Sequence, residues 1–206
     1  MKKKKQIQLD DDAEIDTDEV QKVIEEETQS GHYINNKEFF QNMVEWKKRV
    51  AEEKAFGKPT PPVTDYIGKC FLDIATHLSY RPNFINYPYK EEMISDGIEN
   101  CLMYAANFDP SKSKNPFSYF TQIIYFAFLR RIAKEKKQMF IRYKMLEAAD
   151  KNGKVRSNLL DRTESGSDDP LADYFHLSKN DIEKFSKNGK RRKKGKKRSK
   201  NNIDEL

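Results

Sequence analysis

Cysteine, histidine and long apolar runs are all scarce in this chain. Cys70 and Cys101 are its only cysteines, too few for a disulfide framework. With no secretion signal in view, they point to free thiols in a reducing cytosol. No apolar run approaches the ~20 residues that a membrane span needs. The N-terminus is basic and then acidic, without the apolar stretch of a signal peptide. His32, His77 and His176 are scattered without metal-ligand spacing, and His77 reads as a structural histidine. CxxC, HExxH, P-loop and GxSxG motifs are absent. Acidic pairs such as Glu91-Glu92 and Asp168-Asp169 read as solvated positions. No internal repeat is visible. The expectation is a chain that is not an enzyme and needs neither metal nor cofactor.

Nor is there enough apolar material for all of it to pack. Of 206 residues, 36% are hydrophobic and 35% charged, which predicts one compact domain with disordered flanks. The charge is laid down in blocks. Lys2 to Lys5 are four lysines in a row; Asp10 to Glu27 carries ten acidic residues against one lysine, Lys22; Lys187 to Lys200 carries ten basic residues and no acidic one. Such blocks repel themselves and stay solvated. The boundaries read from composition are a basic/acidic arm at 1–31, a helical domain at 32–147, a linker at 148–169, a short apolar interaction segment at 170–186 and a basic tail at 187–206. Within the arm, Val20 to Glu27 could form a transient helix.

Four helices are predicted in the central domain. Asn35 or Asn36 caps the first, which runs to about Ala55 with Phe39, Phe40, Met43, Val44, Trp46 and Val50 on its apolar stripe. Gly57 stops it, and Pro59, Pro61 and Pro62 stiffen the connection. Thr64 or Asp65 caps the second, with Ile67, Phe71, Ile74, Ala75 and Leu78 on one face. Arg81-Pro82-Asn83 ends it, and Phe84 to Tyr89 make an aromatic loop. The third spans about Tyr89 to Asn107, with a buried stripe of Ile94, Ile98, Cys101, Leu102 and Ala105. Pro116 suits the first turn of the fourth, which reaches about Glu147. No strand pattern competes, so the fold class is all-α. Asp150 to Asp169, rich in Gly, Ser, Asn and charge, reads as a linker. Leu171, Tyr174, Phe175, Leu177, Ile182 and Phe185 form a small apolar cluster after it.

The fourth helix has the most unusual composition. Six of the twelve residues from Phe117 to Phe128 are Phe or Tyr, and five of the next nine, Leu129 to Lys137, are Lys or Arg. Phe117, Phe120, Ile124, Ala127, Phe128 and Arg131 share one face, the default core face. Tyr119, Gln122, Phe126 and Arg130 fall opposite. Exposed rings can stack on unpaired bases for ~1–3 kcal/mol each, and Arg130, Lys134 and Lys137 could meet phosphates with salt-dependent affinity. The same pattern also fits a plain helical bundle. The basic tail decides little, because such runs bind polyanions without selectivity.

Read together, the third and fourth helices suggest a family. Glu92-Met93-Ile94-Ser95-Asp96-Gly97, then Leu102, Phe108-Asp109, Phe117-Ser118-Tyr119-Phe120 and Arg131, resembles region 2 of bacterial sigma factors. That pattern reads D-L-I-Q-E-G, a Leu, F-D, then F-S-T-Y-A and a basic helix. The Gly97 to Phe108 spacing of eleven matches it, and one extra residue stands between Phe108 and Phe117. A closer resemblance, over about residues 33 to 147, is to the late-transcription sigma factors of T-even-type myoviruses. It is carried by Asn35-Asn36-Lys37-Glu38, Glu45-Trp46-Lys47, Glu92-Met93-Ile94, Asp96-Gly97-Ile98-Glu99, Asn107-Phe108-Asp109, Lys114-Asn115-Pro116, Tyr119 and Thr121-Gln122.

The resemblance implies a sigma region 2-like domain that binds the host RNA polymerase core. It would act in the cytoplasm of an infected bacterium and direct polymerase to late promoters through an A·T-rich element near the start site. Glu92, Met93, Ser95, Asp96 and Asn100 would face the clamp coiled coil of the largest polymerase subunit. Phe120 would lie beside the flipped base, with Phe117, Tyr119 and Gln122 near it. Arg130, Arg131 and Lys134 would meet the duplex edge and phosphates. Unstacking an A·T pair costs a few kcal/mol, and an aromatic pocket offsets part of it. Ile123 and Ile124 stand where housekeeping sigma factors carry paired tryptophans, which implies weak autonomous melting and help from supercoiling or a late coactivator. No second, helix-turn-helix domain is evident after Glu147. Asp169 to Phe175 is a candidate ligand for a viral sliding clamp through Leu171, Tyr174 and Phe175. Two rivals remain: a nonspecific DNA-binding or packaging protein, and a non-catalytic adaptor between proteins.

Overall fold

A computed structural model describes residues 21–22, 25–26, 33–150, 153–160 and 169–187. The protein is all-α, with no strand among the described residues. Its helices are α1 (Asn36–Ala55), α2 (Asp65–Ser79), α3 (Lys90–Tyr104), α4 (Pro116–Ala149), α5 (Lys154–Leu160) and α6 (Pro170–Tyr174), with a 3-10 turn at Ala105–Asn107 after α3. Residues 179–187 are helical as well. None of these helices is long and apolar enough to cross a membrane. The chain divides into two compact units, Met1–Arg131 and Ile132–Leu206. The division between the units falls inside α4.

The ends of α1 and α2 follow from local chemistry. The Asn35 side chain accepts from the backbone N–H groups of Lys37 and Glu38, and Thr64 accepts from that of Ile67. Each satisfies donors that the first helical turn leaves without partners. Gly57 closes α1 at φ +70. Its N–H donates to Lys54 and that of Lys58 to Glu53, at 3.1 and 2.9 Å. This is a Schellman ending, and it needs the left-handed conformation that glycine adopts freely. The proline segment is pinned by Trp46, whose indole N–H donates to the carbonyls of Pro61 (3.3 Å) and Pro62 (3.0 Å).

The first unit is built around rings. Phe120 of α4 is fully buried. Its centroid lies 4.5 Å from Phe71, 5.7 Å from Phe39, 6.0 Å from Phe108 and 5.0 Å from Tyr119. One helical step along, Phe84 from the α2–α3 loop meets Tyr125 and Phe128 edge-on at 5.3 and 5.2 Å. The α2 stripe lies where its spacing placed it, with Ile67, Phe71, Ile74, Ala75 and Leu78 all buried. The stripe expected for α3 holds only at Cys101 and at Ala105 just beyond it, both fully buried. The buried residues of α3 are Met93, Gly97 and Cys101, while Leu102 is 48% exposed and Ile94 and Ile98 are only partly covered. Gly97 explains the rotation. A Cβ there would sit 3.1 Å from Ile124 and 3.2 Å from Phe128, so α3 meets α4 through its smallest residue.

Cys70 and Cys101 are unpaired and buried. Burial pushes the Cys70 thiol up to about 11 and raises Cys101 as well. Both therefore stay protonated near neutrality and act as small core residues.

In the second unit, Tyr143, Leu171, Ala172 and Leu177 form a core with Met139, Phe140, Leu146, Val155, Leu159, Phe175 and Ile182 packed around it. The buried Tyr143 hydroxyl donates to Asp169 at 2.7 Å. Asp169 also caps α6, accepting from the N–H of Ala172. Asp150 accepts from the N–H groups of Val155 and Arg156, both at 3.2 Å. Residues 154–160 are thus a capped helix rather than part of a linker. Of the expected N-terminal arm, Gln21, Lys22, Glu25 and Glu26 are described and helical, and Glu26 pairs with Arg81 at 2.6 Å. The rest of that arm, the basic tail after Lys187 and His32 lie outside the described residues.

Candidate nucleic-acid interface

The start of α4 is held by two asparagines. Asn115 accepts from the N–H of Ser118 at 3.1 Å and donates to its hydroxyl at 2.7 Å. Asn36, in the first turn of α1, accepts from the N–H of Phe117 at 3.4 Å. The Asn35-Asn36 and Asn115-Pro116 segments, 81 residues apart at the Asn36–Phe117 contact, are thereby joined at one helix N-terminus.

Seen from outside the first unit, α4 presents Tyr119, Gln122, Phe126 and Arg130. Gln122 is exposed and the other three are half-buried. Tyr119 leans on Phe108 with centroids 5.3 Å apart, and burial raises its hydroxyl's pKa. No acidic residue occurs from Pro110 to Lys134, a stretch that carries Lys112, Lys114, Arg130, Arg131 and Lys134. Between Pro110 and Arg131, α4 and the loop before it thus offer rings and cations with no carboxylate of their own, although Asp96 of α3 lies against Arg131.

Phe117 is 4% exposed and Phe120 is fully buried. Periodicity placed both in the core, and there they lie; the base-side position that the resemblance implies for Phe120 has no open ring face. Ile124 is buried too, against Gly97, while Ile123 is partly covered. Thr121 and Tyr125 widen the buried face beyond the expected stripe. The Thr121 hydroxyl escapes an unpaired state by donating to the Phe117 carbonyl at 2.8 Å.

On α3 the polymerase-side candidates separate. Glu92 and Ser95 are exposed, and Asp96 and Asn100 are half-buried. Met93 is fully buried. It belongs to the core because it lies one turn before Gly97 on the face that meets α4.

The candidate sets meet at a polar seam. Arg131 pairs with Asp96 at 3.3 Å, and Arg130 donates to the side-chain oxygen of Asn100. Asn100 in turn donates to the Asp96 carbonyl at 2.6 Å. One signal of this seam was present in the sequence: Arg131 falls on the core face of α4, where a guanidinium needs a partner. The identity of that partner was not legible.

In the second unit Lys134 is exposed and Lys137 half-buried. Leu171 is fully buried in that unit's core, Phe175 is half-buried against it, and Tyr174 alone of the three is largely open, at 61%. Leu171 is therefore no free plug for a sliding clamp. Among the described residues no group of His, Cys, Asp and Glu could hold a metal ion. No protein-family model matches the chain, and a search of curated proteins finds no match.

Proposed function

We propose that this chain is a sigma-type transcription initiation factor. It binds a bacterial RNA polymerase core and directs it to late viral promoters by holding the unpaired strand of an A·T-rich element near the start site. The observation that carries this reading is the acid-free outward strip of α4, with rings, an amide and a guanidinium in register, beside the exposed polar face of α3. Glu92 and Ser95, with the open sides of Asp96 and Asn100, are the proposed polymerase contacts. Tyr119, Gln122 and Arg130 are the proposed strand contacts, with Arg131 behind them. Phe117 and Phe120 support that strip from beneath. Met93 and Leu171 are left out of the contact set because both are buried. On this reading Ile123 and Ile124 give no aromatic wedge, so melting draws on supercoiling or a coactivator.

Retention of the full chain on core polymerase, followed by run-off transcription from supercoiled A·T-rich late promoters, tests the proposal. Retention and promoter-dependent transcript are expected, with Glu92→Lys weakening retention. Failure to bind core polymerase would overturn it. A packaging protein would bind DNA without regard to polymerase, and an adaptor would bind polymerase without preferring A·T-rich forked DNA.

A further inference from the structure

Beyond Arg131, α4 gives one side to the second core and leaves the other open. Met139, Phe140, Tyr143 and Leu146 pack into that core. Lys134, Gln138, Ile141, Met145 and Ala148, on the opposite side, are all exposed. They recur at steps of four, three, four and three, the spacing of a helix that meets a second helix along a seam. Ile141 is 42% exposed and Met145 67%, the most exposed of the large apolar side chains on α4. One turn apart, they make a single apolar step.

The exposed charges beside this step are cations: Lys134, Arg142 and Lys144. Lys144 is taken up by Glu147 at 2.6 Å. Lys134 and Arg142 are paired with no carboxylate among the described residues. The two acids of this stretch, Glu135 and Glu147, are both half-buried.

That combination selects an occupant. A phosphate backbone gains nothing from Ile141 and Met145, because covering apolar surface with charge forgoes the hydrophobic gain. A second copy, parallel or antiparallel, would set the flanking cations of one chain against those of the other. An acidic amphipathic helix satisfies both features, with apolar side chains on the step and carboxylates on the cations. Methionine suits such a surface, since its unbranched thioether adapts to the side chains it meets. We propose that the outer strip of α4 from Lys134 to Ala148 is a docking surface for an acidic amphipathic helix of a partner protein.

The probe is a labelled helical peptide with leucines three and four residues apart and glutamates on both flanks, titrated against the full chain by fluorescence anisotropy. The wild type should bind it, less tightly as salt rises. The double variant Ile141→Ser/Met145→Ser should bind at least about tenfold more weakly, at an unchanged urea midpoint because both side chains are exposed. Arg142→Glu should also weaken binding, and should gain affinity for the same peptide with lysines in place of its glutamates. Absence of wild-type binding would overturn the proposal. So would equal binding by the double variant, which would put the peptide on other cations, such as those of the basic tail. Dimerisation of the wild type that the double variant abolishes would make a second copy the occupant. An equal loss of duplex DNA affinity in that variant would make nucleic acid the ligand. Either of these results replaces the proposal.

Discussion

His176 is the one described non-glycine residue with a positive φ, at 52. It ends α6 as Gly57 ends α1: its N–H donates to Asp173 and that of Leu177 to Ala172, both at 2.9 Å. A side chain in this conformation costs about 1–2 kcal/mol that glycine avoids. Glycine also brings a floppier unfolded chain, which offsets part of the gain. His176→Gly should therefore stabilise the protein by roughly 0.5–1 kcal/mol, read as a higher urea midpoint at unchanged slope. Asp181 makes a second single-residue case. Burial raises its pKa, but hydrogen bonds from Ser178 and Lys136 outweigh this and lower it. A carboxylate lowered in the folded state adds stability that is full above the ordinary aspartate value of ~3.9 and fades as pH falls through the folded one. The Lys136–Asp181 pair should thus release in acid, below the ordinary range. An NMR titration of the Asp181 carboxyl checks this, and a midpoint at or above ~3.9 would contradict it. At this scale the caps were legible, because Asn35, Thr64 and Gly57 act through their own backbone neighbourhood. His176 was not, since nothing local marks a histidine for a left-handed turn.

Among elements, α1, α2 and α4 were readable because their apolar stripes are broad and their ends well marked. The α3 stripe was right at Cys101 and Ala105 and wrong at Ile94, Ile98 and Leu102. Isoleucines attract attention in a pattern, whereas the contact is organised by a glycine, whose contribution is the absence of a side chain. Gly97→Ala tests this directly. Alanine would gain up to about 1 kcal/mol of helix propensity, against about 1–3 kcal/mol for overpacking a filled core. Ile124 and Phe128 are both fully buried and have little room to retreat, so a net loss of about 1 kcal/mol is expected in chemical denaturation. A gain in stability would show that α3 and α4 can part. The short α5 escaped notice for another reason. Val155 and Leu159 are only two apolar positions in a polar segment, and their partners in the second core lie elsewhere in the sequence.

For the molecule as a whole, the segment expected to be a free ligand is part of a core. Leu171→Ala should cost about 2–5 kcal/mol of local stability. Hydrogen exchange should show the lost protection within residues 132–187, with amides of residues 33–131 little changed. Unaltered exchange throughout would mean that Leu171 is not holding that core. The exposed Tyr174 is thus the better position at which to probe any partner of this region, since its truncation leaves the core intact. Neither unit's extent was legible from composition, because composition marks polar stretches as gaps and cannot show that one helix serves two cores.

That shared helix has a practical consequence. α4 spans 34 residues, and the division between the units falls within it. No loop separates the units for a protease to find, and a gene cut at their boundary would sever a continuous hydrogen-bonded helix. A shortened protein ending near Arg131 would lose the C-terminal half of α4 and have to fray a new helix end. One ending at Glu147 would expose Met139, Phe140 and Tyr143 without the residues that cover them. Expression of either half alone should yield poorly soluble material, and dissection is better done by point substitution within the intact chain.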